Sequence, residues 1–359
     1  MINPAEFERV LQGRRILVTG HTGFTGSWVV HWLSAAGVEV HGFSLPPPTE
    51  PSLFESSLAM DQLMSHRIGD VADFASLEDA VATTAPDVIL HLAAQPLVRR
   101  SYSDPIETYR ANLMGTVNML EAARRHGVAG AVCITTDKVY KNREWIYGYR
   151  ETDRLGGTDP YSASKACAEL AIESYRVSML SWQQKMLIAS ARGGNIIGGG
   201  DWAEDRLIPD FARAAAAGVP ITLRNPGASR PWQHVLCLVH GYLLLLAQIV
   251  KGDERVSGAW NFGPPAAATL SVTQLVERLR CRWSALAVNI EPAQLKESMQ
   301  LALDSTKAQV SLGWTPAWSV EDGIDCTADW YSAYEKDPGV ARSITCEQIE
   351  DYRRKLIAK

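Results

Sequence analysis

The first 190 residues alternate short apolar runs with longer helical patterns, and this alternation constrains the fold more than any other feature of the sequence. The apolar runs predict strands at Arg15–Thr19, Val38–Phe43, Val88–Leu92, Ala131–Ile134 and Met186–Ser190. The helical patterns run from about Phe24 to Ala36, around Thr108–His126, and from about Pro160 onward. Strands separated by helices form βαβ units, so the sequence predicts a doubly wound parallel sheet with helices on both faces. Such a sheet binds ligands at the carboxyl ends of its strands.

Three glycines, Gly20, Gly23 and Gly26, follow the first strand and open the first helix. Glycines at such a turn allow a tight bend, close approach of a pyrophosphate to the backbone, and close helix–strand packing. The helix N-terminus adds partial positive charge for phosphates. We therefore predict a Rossmann-type dinucleotide site here. The alternative is a glycine-rich turn without a ligand, which its position after the first strand disfavours.

The residues at the end of the second strand do not decide between NAD and NADP. An acidic residue there would hold the adenosine ribose, but the sequence reads Phe43-Ser44-Leu45-Pro46, and no nearby arginine offers to bind a 2′-phosphate. Asp70 could hold the adenine from the third strand or could be a solvated cap.

The pattern changes after Arg192, where five glycines crowd one loop and short helices and Pro/Trp-rich turns follow. The segment Ala259–Phe262 could be a strand returning to the main sheet. We therefore expect a dinucleotide-binding domain of residues 1–193 plus about 234–263. A smaller mixed α/β substrate lobe would comprise about 194–233 plus 264–359.

Composition excludes several classes of protein. Of 359 residues, 46% are apolar and 21% are charged, which disfavours a disordered or collagen-like chain. At about 150 residues per domain, the length fits two domains or one large domain with a lobe. The net charge of −5 does not favour nucleic-acid binding.

The cysteines and the apolar segments point to the cytoplasm. Six widely spaced cysteines form no Cys-x-x-Cys pair, which favours reduced thiols over disulfides or zinc. We find no cluster with metal-ligand spacing and expect no metal. The N-terminal residues lack the pattern of a signal peptide. The apolar run Val235–Val250 is too short to span a bilayer, so no membrane association is expected.

Tyr161 and Lys165 are four residues apart on a predicted helix, with Asp159 as a plausible N-cap and Pro160 at the first helical position. Residues at this spacing share one helical face, so the ammonium could lower the phenol pKa from about 10. The alternative is a surface Tyr/Lys pair.

Thr135, Thr136, Asp137 and Lys138 follow the strand Ala131–Ile134, at the edge where a ligand should lie. A hydroxyl, a carboxyl and an amine in succession form a compact proton-transfer set. A strand-end turn with a solvated Asp–Lys pair is an equally good interpretation from the residues alone.

Together these segments resemble a known family. The segments Gly20–Gly26, Leu92–Gln95, Thr135–Lys138 and Tyr161–Lys165 are similar to extended short-chain dehydrogenase/reductases that act on nucleotide sugars. The more specific segments Thr135–Tyr140, Gly194–Trp202 and Arg230–Val235 resemble the CDP-glucose 4,6-dehydratases of that family. The resemblance runs from about residue 13 to about residue 335.

The resemblance implies an NAD-dependent, redox-neutral dehydration of CDP-glucose. Tyr161 would take the proton of the sugar 4-hydroxyl during oxidation of carbon 4, with Thr136 bonded to the same oxygen. Lys165 would tune Tyr161 and hold the nicotinamide ribose. Asp137 would protonate the departing 6-hydroxyl, and the hydride would return to carbon 6.

Lys138 departs from the related dTDP-glucose dehydratases, which carry glutamate there. A lysine with an ordinary pKa near 10.4 is mostly protonated at pH 7, so action as a base requires a lowered pKa. We expect burial beside Lys165 and the nicotinamide cation to supply much of this change in pKa. The hypothesis is that Lys138 takes the carbon-5 proton or stabilises the enolate.

The residues expected to hold the cofactor are Gly20, Thr22, Gly23, Phe24, Thr25, Gly26, Asp70, Val71, Leu92, Ala93, Ala94, Gln95, Asn112, Tyr161 and Lys165. Those expected to contact the substrate are Gln95, Thr136, Arg192, Asn195, Arg206 and Arg230. Among them, Arg230 is the first candidate to clamp the pyrophosphate, because a guanidinium binds such oxygens in bidentate fashion. For Arg192 and Arg206, a salt bridge within the protein is as good an interpretation.

The family also implies a homodimer or a dimer of dimers, formed through the helices near 108–126 and 160–176. Four alternatives to a CDP-glucose 4,6-dehydratase remain, and the first is a 4,6-dehydratase that acts on another nucleotide sugar. A 4-epimerase or a reductase would retain Tyr161 and Lys165 without needing Asp137 and Lys138. A non-catalytic dinucleotide-binding scaffold is disfavoured by the presence of Thr136, Tyr161 and Lys165 together.

Overall fold

The computed structural model describes residues 4–181, 186–265, 268–283, 286–291 and 301–358. Seven parallel strands form its main sheet: β1 (Arg15–Thr19), β2 (Glu39–Ser44), β3 (Ser65–Ile68), β4 (Val88–His91), β5 (Gly130–Ile134), β6 (Leu187–Gly193) and β11 (Gly258–Phe262). Their order across the sheet is β11-β6-β5-β4-β1-β2-β3. The predicted Rossmann-type doubly wound sheet is confirmed, and Ala259–Phe262 does return to it, pairing in parallel with β6.

The middle strands are buried along their whole length, whereas the edge strand β3 is largely exposed. Burial on both faces explains why the middle strands are nearly continuous runs of Val, Ile, Leu and Ala rather than alternating patterns.

Helices cover both faces of the sheet. The helices are α1 (Pro4–Leu11), α2 (Phe24–Ala35), α3 (Leu53–Ser56), α4 (Phe74–Thr84), α5 (Val98–Ser103), α6 (Pro105–Tyr109), α7 (Gly115–Arg125), α8 (Pro160–Ser181), α9 (Leu207–Ala217), α10 (Val235–Val250), α11 (Val272–Arg282), α12 (Thr306–Leu312), α13 (Val320–Lys336) and α14 (Ala341–Ile357). One hydrophobic core joins α1, α2, α10 and α14 to the sheet, and a second joins α4, α7 and α8 to the other face.

The helix predicted around Thr108–His126 begins earlier and is interrupted. It starts at Pro105 because Asp104 accepts a hydrogen bond from the Glu107 amide and proline suits the first helical position. Residues Arg110–Met114 then form a π-helical turn between α6 and α7. A sequence pattern of period 3.6 does not reveal such an insertion.

Helix α10 is buried along nearly its whole length, which explains its apolar composition. It is 16 residues long, and within the described part of the chain no helix is both long and apolar enough to cross a membrane.

The remaining strands form three small two-stranded sheets beside the main one. They are β7 (Ile196–Ile197), β8 (Ile221–Leu223), β9 (Ser229–Arg230), β10 (Gln233–His234), β12 (Leu270–Ser271) and β13 (Val288–Ile290). β7 pairs with β10, β8 with β13, and β9 with β12. These strands come from residues 196–234 and 270–290, close to the ranges predicted for the substrate lobe.

Candidate active site

The predicted site residues converge where four parallel strands end. Gly20 follows β1, Leu92 follows β4, Thr135 follows β5, and the loop after Gly193 follows β6. Because these strands are neighbours in the sheet, their carboxyl ends share one edge, as expected for a ligand site in this fold.

The glycine loop has the shape that a dinucleotide pyrophosphate needs. Gly20 has a φ of +77°, and a Cβ there would lie 2.6 Å from the Ala93 nitrogen. A Cβ at Gly26 would lie 2.2 Å from the Gly20 carbonyl oxygen, so both positions exclude any side chain. Gly23 caps α2 without a side-chain hydrogen bond from the described residues, which leaves the first amides of that helix, at Phe24 and Thr25, for a phosphate.

The adenosine end of the loop is built from hydroxyls and one ion pair. The hydroxyls of Thr22 and Ser44 share a hydrogen bond of 2.8 Å, and Thr22 also donates to the Leu45 carbonyl. Asp70 accepts from the Ala72 amide and from Arg110, each at 2.9 Å. Of the two interpretations of Asp70, a turn cap is therefore what these contacts favour.

Gln95 and Asn112, both expected to contact ligands, are engaged with the protein instead. The Asn112 side chain accepts from the Gln95 amide, and donates to the Gln95 carbonyl and to the Ser164 hydroxyl. The Gln95 side chain bonds to Leu97 and Thr108. These contacts favour a supporting role, in which both residues hold the loop Leu92–Gln95 beside α8. Val71, also expected at the cofactor, is buried against Gly115.

Helix α8 carries the phenol and the ammonium on one buried face. The Asp159 carboxylate accepts from the Ser162 amide at 2.9 Å, so the predicted N-cap is confirmed. Tyr161 and Lys165 are both more than nine-tenths buried. The Lys165 ammonium donates to the Ile134 carbonyl at 3.1 Å, which ties α8 to the end of β5.

The ionisation of this pair differs from the sequence prediction. Burial raises the pKa of Tyr161 to about 12, and the hydrogen bond with Thr136 and the charge of Arg206 only partly oppose it. Burial also lowers the pKa of Lys165 to about 8. Lys165 was expected to lower the phenol pKa, but burial outweighs every favourable charge near the phenol. Tyr161 is thus protonated at neutral pH until more positive charge approaches it.

Asp137 is a buried carboxyl with one oxygen available to a ligand. Its Oδ1 accepts from the Thr136 hydroxyl at 3.0 Å, and its Oδ2 has no hydrogen-bond partner among the described residues. A Cβ at Gly194 would lie 3.0 Å from that Oδ2, so glycine leaves space beside it. Burial raises the pKa of Asp137, which favours the protonated acid.

Two cations lie near this carboxyl. Lys138, the next residue, and Arg230, on β9, both oppose the rise in the pKa of Asp137 through their charges. The Lys138 side chain is exposed, so the burial beside Lys165 that we expected for it is not found. The turn Asp137–Val139 is a short 3₁₀ helix, which directs successive side chains away from one another and leaves Lys138 outside.

Arg206 and Asn195 border the same region. Arg206 forms an ion pair of 2.9 Å with Asp201 and lies near enough to Tyr161 for its charge to lower the phenol pKa. Asn195 is half-buried, and its carbonyl accepts from the Gln233 amide, which fixes the loop after β6 to β10.

Arg192 has another role than the expected substrate contact. Its guanidinium forms a bidentate ion pair with Glu169 at 2.7 and 3.0 Å and also donates to the Tyr140 hydroxyl and the Glu151 carbonyl. Both charged side chains are more than nine-tenths buried. These contacts favour the alternative interpretation, a salt bridge within the protein.

Sequence reasoning missed Glu169, Tyr140 and Asp201. Glu169 could have been found, because it follows Lys165 by four residues and therefore shares the buried face of α8. Asp201 lies in the specific segment Gly194–Trp202, but its pairing with Arg206 depends on how the loop folds.

Comparison with known proteins identifies related enzymes. The family model described as GDP-mannose 4,6 dehydratase matches residues 17–327. The CDP-glucose 4,6-dehydratase of Salmonella typhimurium is 43% identical over 330 residues, which cover 90% of this chain and 92% of that protein.

Two solved structures share the fold. The dTDP-glucose 4,6-dehydratase of Streptomyces venezuelae, with NAD and TYD bound, is 25% identical with a TM-score of 0.78 and covers 92% of this chain and 99% of its own. The UDP-glucose 4-epimerase of Thermus thermophilus, in complex with NAD, is 26% identical with a TM-score of 0.74. The match covers 88% of this chain and 98% of that protein. Because one scaffold serves both reactions, the chemistry must be argued from the site.

The raised pKa of Asp137 predicts a pH-dependent stability effect. Between the unfolded pKa of about 3.9 and the higher folded value, the unfolded chain loses a proton that the folded chain keeps, so stability falls as pH rises. Asp137→Asn removes this penalty. Its free energy of unfolding relative to wild type, measured by urea titration, should therefore be more favourable at pH 8 than at pH 4, close to the unfolded pKa. Glu50→Gln, at an exposed carboxyl, is the control, and a gain at Asp137 that shrinks with rising pH would contradict the assignment.

Proposed function

The chain belongs to the GDP-mannose 4,6 dehydratase family, and on this premise we propose that it is a CDP-glucose 4,6-dehydratase. The reaction converts CDP-D-glucose to CDP-4-dehydro-6-deoxy-D-glucose and water. The observation that carries the proposal is the buried Asp137 carboxyl beside Thr136 and Tyr161. A 4-epimerase or a reductase also needs the phenol and the ammonium, but neither reaction eliminates a hydroxyl, so neither needs an acid to protonate a leaving group.

The cofactor is NAD, as in both solved relatives, and the glycine loop fits it. When bound, NAD⁺ supplies the hydride acceptor for carbon 4 and the donor for carbon 6. The Gly20 and Gly26 positions and the open N-terminus of α2 would hold its pyrophosphate, because no side chain occupies that space. Lys165, on the buried face of α8, would hold the nicotinamide ribose beside Tyr161.

Tyr161 is the proposed base of the first step, the oxidation of carbon 4. It takes the proton of the sugar 4-hydroxyl, and Thr136 hydrogen-bonds to the same oxygen. Since burial holds the phenol pKa at about 12 in the free chain, ionisation depends on positive charge brought close to the ring. The phenol therefore becomes a base only in the assembled complex.

Asp137 performs the proton transfer of the elimination half. The 4-ketone acidifies the hydrogen on carbon 5, and loss of that proton expels the 6-hydroxyl. Burial raises the pKa of Asp137 and so favours the protonated form that can donate to this leaving group, and its Oδ2 faces the space beside Gly194. A carboxyl whose pKa is raised by burial is suited to act as a general acid.

Arg230 and Arg206 are the proposed clamp for the substrate pyrophosphate, with Asn195 bonded to a phosphate or the ribose. The support is their placement: Arg230 lies beside Asp137, and Arg206 lies beside Tyr161. Residues 1–193 plus about 234–263 would then bind NAD, and about 194–233 plus 264–359 would bind the nucleotide sugar. That the nucleotide is CDP rests on the Salmonella relative.

Product analysis tests the proposed function. The purified enzyme is incubated separately with CDP-, dTDP-, UDP- and GDP-glucose, and the products are analysed by mass and by their 4-keto group. We expect a 4-keto product that is lighter by one water, formed fastest from CDP-glucose without net cofactor reduction. Stoichiometric release of reduced cofactor, or a product of unchanged mass, would contradict the proposal.

Lys138 is proposed to take the carbon-5 proton or to stabilise the enolate. Its support is its place beside Asp137, where its charge acts on the carboxyl, and its side chain is exposed to a bound substrate. Lys138→Ala should leave oxidation of carbon 4 partly intact, so reduced cofactor should accumulate on the enzyme while product formation slows. The nearby exposed Lys141→Ala is the control. If solvent deuterium still enters carbon 5 at the wild-type rate in Lys138→Ala, the role is wrong.

A homodimer, or a dimer of dimers, is proposed to form through the helices near 108–126 and 160–176. Several large apolar side chains are exposed on or beside these helices, namely Tyr102, Ile106, Tyr109, Met114, Leu170 and Val177. Ile106→Asp, at a side chain 81% exposed, should yield monomers by light scattering with an unchanged circular dichroism spectrum. Ile290→Asp, at 69% exposure on β13, is the control. A wild-type chain that is monomeric at every concentration would remove the proposal.

We also propose that the enzyme works in the cytoplasm. All six cysteines are free thiols, which agrees with a reducing compartment.

A further inference from the structure

The ion pair of Glu169 and Arg192 is the most deeply buried charge pair among the described residues, and the reaction as proposed does not use it. Their side chains are 3% and 4% exposed. Burial disfavours the Glu169 carboxylate, but Arg192 and the hydroxyls of Thr135 and Ser190 outweigh this and keep its pKa below the ordinary value. The pair is therefore fully ionised in the core, beside the catalytic residues.

Glu169, at one end of the pair, bonds to Thr135. This residue precedes the segment Thr136–Val139, here called the catalytic turn because it contains Thr136 and Asp137. The Thr135 hydroxyl donates to Glu169 Oε1 at 2.5 Å, and its amide donates to the Ala191 carbonyl at 2.9 Å. The carboxylate thus fixes the point at which the chain leaves β5.

The other end holds the residue that follows the catalytic turn. Arg192 donates to the Tyr140 hydroxyl at 2.8 Å, and its guanidinium lies 5.1 Å from the centre of the Tyr140 ring. The Tyr140 hydroxyl in turn donates to Asn261 on β11 at 2.8 Å. A single ion pair therefore contacts both flanks of the catalytic turn.

Glu169 also shares the buried face of α8 with Tyr161 and Lys165, at successive i, i+4 positions. The same rigid helix thus carries the phenol and the anchor of the turn. Displacement of the turn relative to this helix would change the separation of Asp137 and Thr136 from Tyr161. A shift of about 1 Å at such a site can cost on the order of a hundredfold in rate.

We propose that the buried Glu169–Arg192 pair positions the catalytic turn through its hydrogen bonds to Thr135 on one side and to Tyr140 on the other. It sets Asp137 and Thr136 against Tyr161, and its residues are positioning residues that do not touch the substrate. The inference rests on the proposed function for its activity readout alone.

Removal of either charge would be a poor test, because an unpaired buried charge is strongly destabilising. The chain offers a matched pair of hydroxyls instead. Thr135 donates to Glu169 Oε1 and Ser190 donates to Oε2, while Arg192 bonds to both oxygens. Thr135→Val and Ser190→Ala each remove one hydroxyl from the same carboxylate and leave the ion pair intact. Only Thr135 adjoins the catalytic turn.

The expected result is a difference between these two variants. Thr135→Val should lower kcat for the sugar substrate at least roughly tenfold with KM changed less than about twofold, and Thr135→Ser should restore most of the rate. Ser190→Ala should stay within about twofold of wild-type kcat, although both variants lower the thermal midpoint by similar amounts. Equal kcat values in Thr135→Val and Ser190→Ala would overturn the inference.

Hydrogen exchange separates failure of this inference from failure of the proposed function. If the wild type converts no nucleotide sugar, the proposed function fails, but amide exchange needs no substrate. Peptides covering residues 136–140 should exchange faster in Thr135→Val and in Tyr140→Phe than in wild type, and not in Ser190→Ala. Unchanged exchange there in Thr135→Val would overturn the inference whatever the activity.

Discussion

The parallel alignment of β1, β4, β5 and β6 is the constraint on which the rest of this structure depends. Because neighbouring strands point the same way, residues far apart in the chain leave the sheet at one edge. The close approach of Gly20 to Ala93 is a direct result, since the loops after β1 and β4 meet there with no room for a side chain. The same alignment brings Thr135 next to Ala191.

Two buried carboxyls at this edge have pKa values shifted in opposite directions. Glu169 faces a guanidinium and two hydroxyl donors, so it stays ionised despite complete burial. Asp137 accepts one hydroxyl and faces its cations at longer range, so burial prevails and favours the neutral acid. Environment alone separates an anchoring anion from a group able to donate a proton. Glu169 anchors Thr135, the residue before the catalytic turn, and Asp137 lies within that turn, so the position of Asp137 depends on the hydrogen bonds around Glu169.

Some side chains could be interpreted from sequence and others could not. His91 lies in an apolar strand, a pattern typical of a satisfied core histidine, and it is buried and bonded to Thr19 at 2.7 Å. Arg192 looked equally suited to substrate or salt bridge, because the choice depends on what α8 places beside it. Gln95 and Asn112 lie in segments typical of a cofactor site, yet their side chains bond to the protein. The Asn112 side chain bonds to the Gln95 backbone, and the Gln95 side chain bonds to Thr108. The direction in which a polar side chain points depends on tertiary packing, and the local sequence pattern does not contain that information.

The sequence by itself determined the parallel sheet, the glycine turn, and the spacing that puts Tyr161 and Lys165 on one helical face, because these follow from local periodicity and steric size. It did not determine the ionisation of Tyr161, Lys165 and Asp137, the exposure of Lys138, or the pairing of Glu169 with Arg192. Those properties depend on how deeply each group is buried and on which charges distant segments bring beside it. Such distances exist only after the chain has folded, and for that reason the tertiary structure alone decided them.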